Sequence, residues 1–345
     1  MSKKIEGFSK FTKSEKIDWI TKTHFKNAKQ AKKQLESYWS LDSKLQARHE
    51  EFIENTLSNF YLPLGVAPNF LINGDIYTLP MVIEESSVVA AAANAAKFWS
   101  KRGGFKTKVI NSLKVGQIHF FYEGYPKELS AFFKNRKSDL LKTLVPLTKN
   151  MEARGGGVMS LDLIDKCDIL ENYYQLHLRF KTGDAMGANF INSCLEHLAK
   201  SLIQFASKDQ LSNENTKPID VVMSILSNYV PECLVHAEVS CPIKEFNLDN
   251  HNLNIETFTK RMIQAVAIAK YEPYRAVTHN KGIMNGVDSL VIATGNDFRA
   301  IEAGVHAYAA RSGQYRSLSD AYIKDDQFVM ELSIPLAPGT VARLT

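Results

Sequence analysis

The alternation of apolar and polar positions divides the first third of the chain into helices followed by a hairpin. Positions 13–38 are polar with a few spaced apolar residues, which predicts one or two exposed amphipathic helices, and 42–57 predicts another. Beyond them, β-branched and aromatic residues alternate with Pro and Gly. Asn73-Gly74-Asp75 is typical of a hairpin turn, here joining strands at 66–72 and 76–83.

The middle of the chain predicts a compact module of strands and helices. An alanine-rich helix from Ser87 to Ser100 comes first, stopped by Gly103-Gly104. The elements that follow are strands within 105–124, a lysine-rich helix at 127–144, strands at 158–164 and 171–180, and a helix from Asp184 to Ser207. This β-α-β-β-α succession predicts a small split βαβ, ferredoxin-like module over 110–227. No GxGxxG follows a strand, so the doubly wound dinucleotide fingerprint is absent.

The last third predicts a return to a larger domain. We expect a strand at 235–243, a helix at 255–270, a loop-and-strand stretch at 275–294, a helix at 298–311 and a strand from Gln327. The predicted fold is therefore α+β. A large mixed domain, built from 1–109 and 228–345, is interrupted by the small module at 110–227.

Composition narrows the class of protein. With 345 residues, 45% of them hydrophobic, the chain is long enough for two domains. Its net charge of +5 lacks the clustered cations with aromatic partners typical of nucleic-acid surfaces, so we expect no nucleic acid. The N-terminus has no apolar signal region, and the longest nearly apolar run, Val88–Ala96, is too short for a bilayer. We expect a soluble, cytoplasmic protein with no membrane contact.

The cysteines predict neither disulfides nor a metal site. Cys167, Cys194, Cys233 and Cys241 have no CxxC spacing, and no His or Cys pair with ligand spacing lies near a second such pair. We expect buried, reduced thiols and no metal.

Three predicted helix starts share one chemistry. Each has a polar or acidic cluster followed by Ala, Gly and Ser: Glu84-Glu85-Ser86-Ser87, Gly183-Asp184 and Gly295-Asn296-Asp297. Helix starts of this kind offer N–H groups to an anion, although capped, tightly packed core helices have the same composition. In a fourth segment, RAVTHNKGIMNG, Arg275 and Lys281 are available for a carboxylate or a developing oxyanion; a solvated surface loop is the alternative.

Taken together, EESSVVAAAANAA, DAMGAN, RAVTHNKGIMNG and ATGNDFRA resemble, in type, order and spacing, the class II (soluble, bacterial-type) hydroxymethylglutaryl-coenzyme A (HMG-CoA) reductases. The resemblance extends from about Glu54 to Val341. It implies reduction of the HMG-CoA thioester to mevalonate by two successive hydride transfers from NAD(P)H, with release of coenzyme A, or the reverse reaction. The sequence leaves the direction open.

The resemblance also implies residue roles. Lys281 matches the catalytic lysine that stabilises the oxyanion, Glu85 the glutamate that donates a proton to it, and Asp297 the aspartate that hydrogen-bonds both. The positions that match substrate-binding residues are Ser87, Arg275 and Asn285. Those that match cofactor-binding residues are Asp184, Met186, Gly187, Asn189 and Asn228.

The resemblance implies a homodimer, or a higher assembly of dimers, with the active site between subunits. NADPH is favoured over NADH, because Lys149 stands near the position where an acidic residue would favour NAD. Two departures are mild: EEPS is EESS here, and Ser58 replaces a glycine. A third is larger: the chain ends at Thr345, so we expect the family's C-terminal flap domain, with its thiolate-protonating histidine, to be absent.

Two other functions stay open at this point. A truncated, catalytically impaired homologue would dimerise and bind coenzyme A ligands or cofactor without turnover. A thiolase-like transferase would need a nucleophilic cysteine, and Cys194 stands deep inside a predicted helix, where attack is hindered.

Overall fold

The computed structural model describes residues 4–211, 217–246 and 254–339, in two compact units, Met1–Pro63 and Leu64–Thr345. The first unit holds a short 3-10 helix at Phe8–Lys10 and the helices α1 (Lys13–His24), α2 (Ala28–Glu36) and α3 (Ser43–Glu50). The prediction of one or two helices within 13–38 is confirmed, and there are two. The helix predicted over 42–57 ends at Glu50, seven residues early, and it could not have continued to 57 because Asn55 has a φ of 59°, which no α-helix accommodates.

The second unit opens with the predicted hairpin, which is confirmed. Strands β1 (Leu64–Ile72) and β2 (Asp75–Val82) pair antiparallel. Their two-residue turn needs positive φ at both positions, and Asn73 and Gly74 supply 52° and 99°. The alanine-rich helix α4 (Val88–Ser100) packs on β1, and β3 (Lys106–Val109) follows.

A four-stranded antiparallel sheet with two helices on one face forms the middle of the unit. Its elements are β4 (Lys114–Phe121), α5 (Pro126–Glu152), β5 (Gly157–Asp165), β6 (Tyr173–Lys181), α6 (Ala188–Lys208) and β7 (Asp220–Leu226). The strand order is β5-β6-β4-β7. Ile118, Phe120, Leu176, Leu178 and Leu195 belong to the core between sheet and helices. The boundaries at 110 and 227, and the ferredoxin-like description, remain predictions.

Helix α5 runs eight residues past its predicted end, through Pro146. A proline inside a helix removes a hydrogen bond and usually kinks or ends it. Here Leu144, Thr148 and Met151 continue the buried stripe on both sides of the proline. Their packing offsets the local cost, which the apolar pattern alone did not reveal.

The remaining elements form a second sheet covered by helices. They are β8 (Leu234–Pro242), α7 (Ile255–Tyr271), α8 (Pro273–Ala293), α9 (Phe298–Ala309), β9 (Ser319–Lys324) and β10 (Gln327–Pro335). The sheet is antiparallel in the order β3-β8-β10-β9. Its two small cores lie against α7 and against α8 with α9. The mixture of helices and antiparallel sheets confirms the α+β class.

The prediction of loop and strand at 275–294 is wrong, since this segment is helix α8. Glu272 caps it by accepting from the backbone N–H of Tyr274 and Arg275, and Pro273 stands at the first position. Ala276, Asn280 and Met284 are buried at four-residue spacing, which is a helical period. The two glycines and the polar composition hid that period.

The start of α6, the cysteines and the chain end were also predicted. Helix α6 begins at Ala188 after a left-handed Gly187, not at Asp184. Cys194, Cys233 and Cys241 are buried free thiols as expected, whereas Cys167 is exposed. The expected chain end, at 340–345, lies outside the described residues. Over the described ranges, no helix combines the length and the apolar character that crossing a membrane requires.

We predict that Leu178→Ala destabilises the second unit by about 2–5 kcal/mol, because it empties a site at the centre of the α5–α6 core. Leu178 has no exposed surface in this core. Val222→Ala is the control, since Val222 is 54% exposed on β7 and should cost under about 0.5 kcal/mol. Urea unfolding followed by circular dichroism measures both. Equal midpoints for the two variants would contradict the described core.

Candidate functional site

An ion pair joins the turn before α4 to the middle of α8. The ammonium Nζ of Lys281 lies 2.5 Å from Oε2 of Glu85. One helical turn further on, Asn285 Nδ2 donates to the same carboxylate oxygen at 3.4 Å. The Lys281 and Glu85 side chains are 59% and 47% exposed. The pair is therefore formed within one chain, and one side of it is open to an incoming group.

Helix α4 begins in a way that leaves its first turn available. Ser87 is the N-cap residue in a left-handed conformation, with a φ of 73°, and its side chain makes no capping hydrogen bond. Serine is normally favoured at this position because its hydroxyl caps the helix, and a non-glycine residue at positive φ is strained. The hydroxyl of Ser87 is thus not used by the helix, two residues away from Glu85.

Helix α8 is anchored by a buried amide. Asn280 has no exposed surface; its Nδ2 donates to the carbonyl of Arg316 and its Oδ1 accepts from the N–H of Leu318. An amide with both ends satisfied inside the protein fixes the helix in rotation as well as position. The neighbouring Lys281 is thereby aimed at Glu85. Arg275 lies half-buried near the start of α8. Burial lowers the pKa of His279 below its usual value, and the charge of Arg275 adds to this shift.

A pocket that is partly open to solvent lies where α6, β7 and α9 approach one another. Met186, Asn228 and Asp297 are among its lining residues. Gly304 and Asn228 both line it. There α9 passes so close to the segment after β7 that a Cβ on Gly304 would lie 2.6 Å from the carbonyl oxygen of Asn228. The cavity is lined mainly by apolar atoms with a few polar groups, which is typical of small-molecule sites.

Lys114, which the sequence did not single out, holds the turn that forms one wall of this cavity. The residue is 6% exposed, and its ammonium donates to Thr182 Oγ1 and the Ala185 carbonyl, both at 2.6 Å, and to the Met186 carbonyl at 3.1 Å. Burial lowers the pKa of Lys114, with the nearby Cys233 opposing the shift. The sequence did contain a signal for this role, namely a lysine at a strand position whose side chain faces inward.

The turn itself leads into α6. Gly187 adopts a φ of 80° as the N-cap, and a Cβ there would lie 2.4 Å from Thr182 Cγ2. Asp184 and Asn189 are exposed on either side of it. The first turn of α6, with no side-chain cap, presents backbone N–H groups of the kind that bind phosphate.

Asp297 is placed apart from the ion pair. It caps α9 by accepting from the N–H groups of Arg299 and Ala300, and the Arg299 guanidinium pairs with it at 3.1 Å. Burial raises the pKa of Asp297, but the hydrogen bonds from Arg299 and Ala300 outweigh it and hold that pKa below the ordinary value. Within the described part of the chain, Asp297 forms no hydrogen bond or ion pair with Glu85 or Lys281.

The sequence-predicted residues therefore fall into two groups. Glu85, Ser87, Lys281 and Asn285 lie at the α4–α8 junction. Around the cavity lie Met186, Asn228 and Asp297, with Gly187 in the adjoining turn. The three-residue cluster that the resemblance implies is thus only partly assembled in one chain.

One further group has metal-ligand chemistry. His236, Glu238 and Glu331 lie together on β8 and β10, with ligand atoms within 4.8 Å of one another. His236 Nδ1 is hydrogen-bonded to Ser333 Oγ, and the Tyr322 hydroxyl donates to Glu331. These polar contacts across the sheet account for two of the three side chains, and we assign no metal here.

The fold and the two groups define an α+β protein with a cation–carboxylate pair and, beside a pocket, a helix start that has no side-chain cap. Residues 13–342 match the family model described as hydroxymethylglutaryl-coenzyme A reductase. The chain belongs to this family.

Curated relatives and solved structures agree. The chain is 34% identical to a 3-hydroxy-3-methylglutaryl-coenzyme A reductase of Archaeoglobus fulgidus, over 100% of this chain and 74% of that one. It is 35% identical to a probable reductase of Borreliella burgdorferi, over 85% of this chain and 64% of the relative's length. A class II reductase structure from Streptococcus pneumoniae, bound to NADPH in open conformations, matches with a TM-score of 0.78 at 31% identity, covering 98% of this chain and 88% of that one.

We predict that Lys114→Met loosens the turn at 182–187, because its three acceptors lose their donor inside the protein. The free energy of unfolding should fall by about 1–3 kcal/mol. Amide hydrogen exchange at 183–187 should accelerate, measured by mass spectrometry. Lys200→Met, at an exposed position on α6, is the control and should leave both quantities unchanged. Unchanged exchange at the turn in Lys114→Met would show that the ammonium does not hold it.

Proposed function

We propose that this chain reduces HMG-CoA to mevalonate and coenzyme A with NADPH, through the Lys281–Glu85 pair. The observation that carries the proposal is the 2.5 Å contact between those two side chains, formed by residues 196 positions apart in a family that reduces a thioester. A cation held by a carboxylate, with an amide donor beside it and one side exposed, suits a carbonyl oxygen that gains negative charge.

The reaction needs charge stabilisation at one oxygen. When hydride reaches the thioester carbon, the carbonyl π electrons move to oxygen, and the Lys281 ammonium stabilises the resulting oxyanion. Glu85 accepts a hydrogen bond from the same ammonium, which fixes the ammonium in position. The oxyanion re-forms the C=O bond as the C–S bond breaks, which gives an aldehyde and the thiolate of coenzyme A, and the thiolate takes a proton from solvent. A second hydride reaches the aldehyde carbon, the pair supplies the proton that the resulting alkoxide takes up to give the alcohol, and solvent returns that proton to the pair.

Substrate positioning falls to the surrounding polar groups. Arg275 provides a guanidinium for the free carboxylate of the substrate, and Ser87 and Asn285 provide neutral hydrogen bonds. Ser87 suits this role because its hydroxyl is not used as a helix cap. Asn285 suits it because its amide already points at the reacting pair.

The residues around the cavity fit a dinucleotide. NADPH would supply the two hydrides. The uncapped first turn of α6, behind the left-handed Gly187, offers N–H groups to a pyrophosphate, with Asp184, Met186 and Asn189 around it. Asn228 and Asp297 line the cavity beside it. Lys149, exposed near the end of α5, is available to a 2′-phosphate, and a solved relative binds NADPH.

A second copy of the chain is proposed to complete the site. The Lys281–Glu85 group and the Asp297 cavity are separate groups of one chain, so joining them between two copies would assemble the full catalytic set. Large apolar side chains are exposed on α7 and α8 beside Lys281: Ile268, Tyr271, Tyr274 and Val277 are 55%, 65%, 87% and 55% exposed. Such a patch is typical of an interface. We propose a homodimer or an assembly of dimers, located in the cytoplasm.

We predict that Lys281→Met lowers kcat by about 10²–10³-fold with a small change in KM, because it removes charge stabilisation that acts in the transition state. Glu85→Gln should lower kcat in the same direction. HMG-CoA-dependent oxidation of NADPH, followed by absorbance, measures both. Lys101→Met, at an exposed position after α4, is the matched control. NADPH binding without turnover in the unmodified chain would contradict the proposed reaction.

A mixing experiment tests the shared site. Lys281→Met and Asp297→Asn should each be nearly inactive alone. If one site takes Lys281 from one copy and Asp297 from the other, mixed and reassembled dimers should recover roughly a quarter of the unmodified activity by random pairing. Mixing Lys281→Met with Glu85→Gln is the control, since both residues belong to one group. No recovery in the first mixture would place the whole site in a single copy.

A further inference from the structure

A half-buried carboxyl group with one buried oxygen lies on the same face of α8 as Lys281 and Asn285. Asp288 lies on α8, two turns beyond Lys281 and three residues beyond Asn285, so the three share one face. Glu302 lies on α9, five residues beyond Asp297. The two helices pack against each other, with Met284 and Ile301 in one core. Each carboxyl is thus attached to a helix that carries a proposed catalytic side chain.

The Asp288 carboxyl is incompletely satisfied as an ionised group. Its Oδ1 is buried, and no donor in the described part of the chain reaches it. The Glu302 carboxyl on the adjacent helix α9 adds to burial in raising the pKa of Asp288, and Glu302 is itself an acceptor when ionised. Two ionised carboxylates in contact, one with a buried unpaired oxygen, are costly, and a proton held between them removes both costs.

The charges around the pair do not supply an alternative partner. Burial raises the pKa of Asp288 to about 7, with the hydrogen bond and charge of Glu302 acting in the same direction. Among the described residues, Glu302 is the charged group that acts on it. The other Asp, Glu, His, Lys and Arg residues on α8, on α9 and on the elements packed against them are Asp75, Lys97, Glu256, Lys260, Arg261, Lys270, Arg275, His279, Lys281, Arg299, His306 and Glu331.

We propose that Asp288 and Glu302 share one proton and thereby tie α8 to α9, as a pair of positioning residues. The tie holds Lys281 and Asn285 on one helix in a fixed relation to Asp297 at the start of the next. The consequence for catalysis rests on the proposed reductase function, whereas the shared proton does not. The two parts can therefore be tested separately.

The shared proton is tested without any activity assay. An Asp with a raised folded-state pKa contributes stability that is full below its unfolded pKa of about 3.9 and is lost as pH rises through about 7. Asp288→Asn has no carboxyl to ionise at this position, so it should not lose this stability as pH rises. Its Tm relative to the unmodified chain should therefore rise by about 2–4 °C or more between pH 5 and pH 8. Infrared spectroscopy at pH 6 should show a protonated carboxyl band that Asp288→Asn and Glu302→Gln each remove. Asp75→Asn, at the exposed hairpin turn, is the control. A Tm difference that does not change with pH, with no such band, would overturn the proposal.

The positioning role is tested on the active protein. The unmodified chain should lose kcat as pH rises through about 7, as the shared proton leaves. Asp288→Asn keeps a donor towards Glu302, so it should retain kcat at low pH and lose this alkaline fall. Asp288→Ala should lower kcat by about tenfold at every pH, because alanine cannot hydrogen-bond to Glu302, whereas Asp288→Asn should not. A chain that turns over with the same pH profile in Asp288→Asn would refute the positioning role. A chain without turnover would refute the reductase proposal instead and leave the infrared result standing.

Discussion

The contact between Lys281 and Glu85 is the interaction on which the rest of the site depends. It joins α8 to the turn before α4 over a 2.5 Å separation. Because both side chains are about half exposed, such a pair contributes little to stability, on the order of 1 kcal/mol or less. Its geometry must therefore be imposed by the surrounding fold. The buried Asn280 fixes the rotation of α8, and the packing of α4 on β1 fixes the turn that carries Glu85.

The cavity is organised by the opposite kind of electrostatics. Lys114 is a cation inside the protein, and the three acceptors that it contacts in the described part of the chain are neutral oxygens. Burial of this kind is tolerated because every proton of the ammonium has an acceptor. The result is a rigid turn that presents the start of α6 to the cavity. A positive group behind the turn and free N–H groups in front of it both favour an anionic ligand.

Local signals in the sequence predicted part of this arrangement. Asn73-Gly74 determines its own turn type, and Asp297 caps α9 where expected, whereas α4 begins after Ser87 without a side-chain cap. The prediction for the α8 segment was wrong because its buried positions include an asparagine, so the hydrophobic residues alone did not show the helical period. Lys114 was missed despite its inward-facing strand position, because lysine is rarely buried and its acceptors come from a distant turn. The separation of Asp297 from Lys281 depends on tertiary packing, which no local pattern encodes.

Because the proposed site is divided between two groups, its geometry depends on the angle between α8 and α9. Lys281 and Asp297 are sixteen residues apart along the chain, on α8 and at the start of α9, and they point into different groups of side chains. If two copies of the chain meet so that one group faces the other, every error in the angle between α8 and α9 is carried into the assembled site. A displacement of about 1 Å there is enough to lower a rate substantially. The angle between the helices must therefore be fixed as firmly as either group: Met284 and Ile301 share one core there, and the proposed Asp288–Glu302 pair would add a polar link between the same two helices.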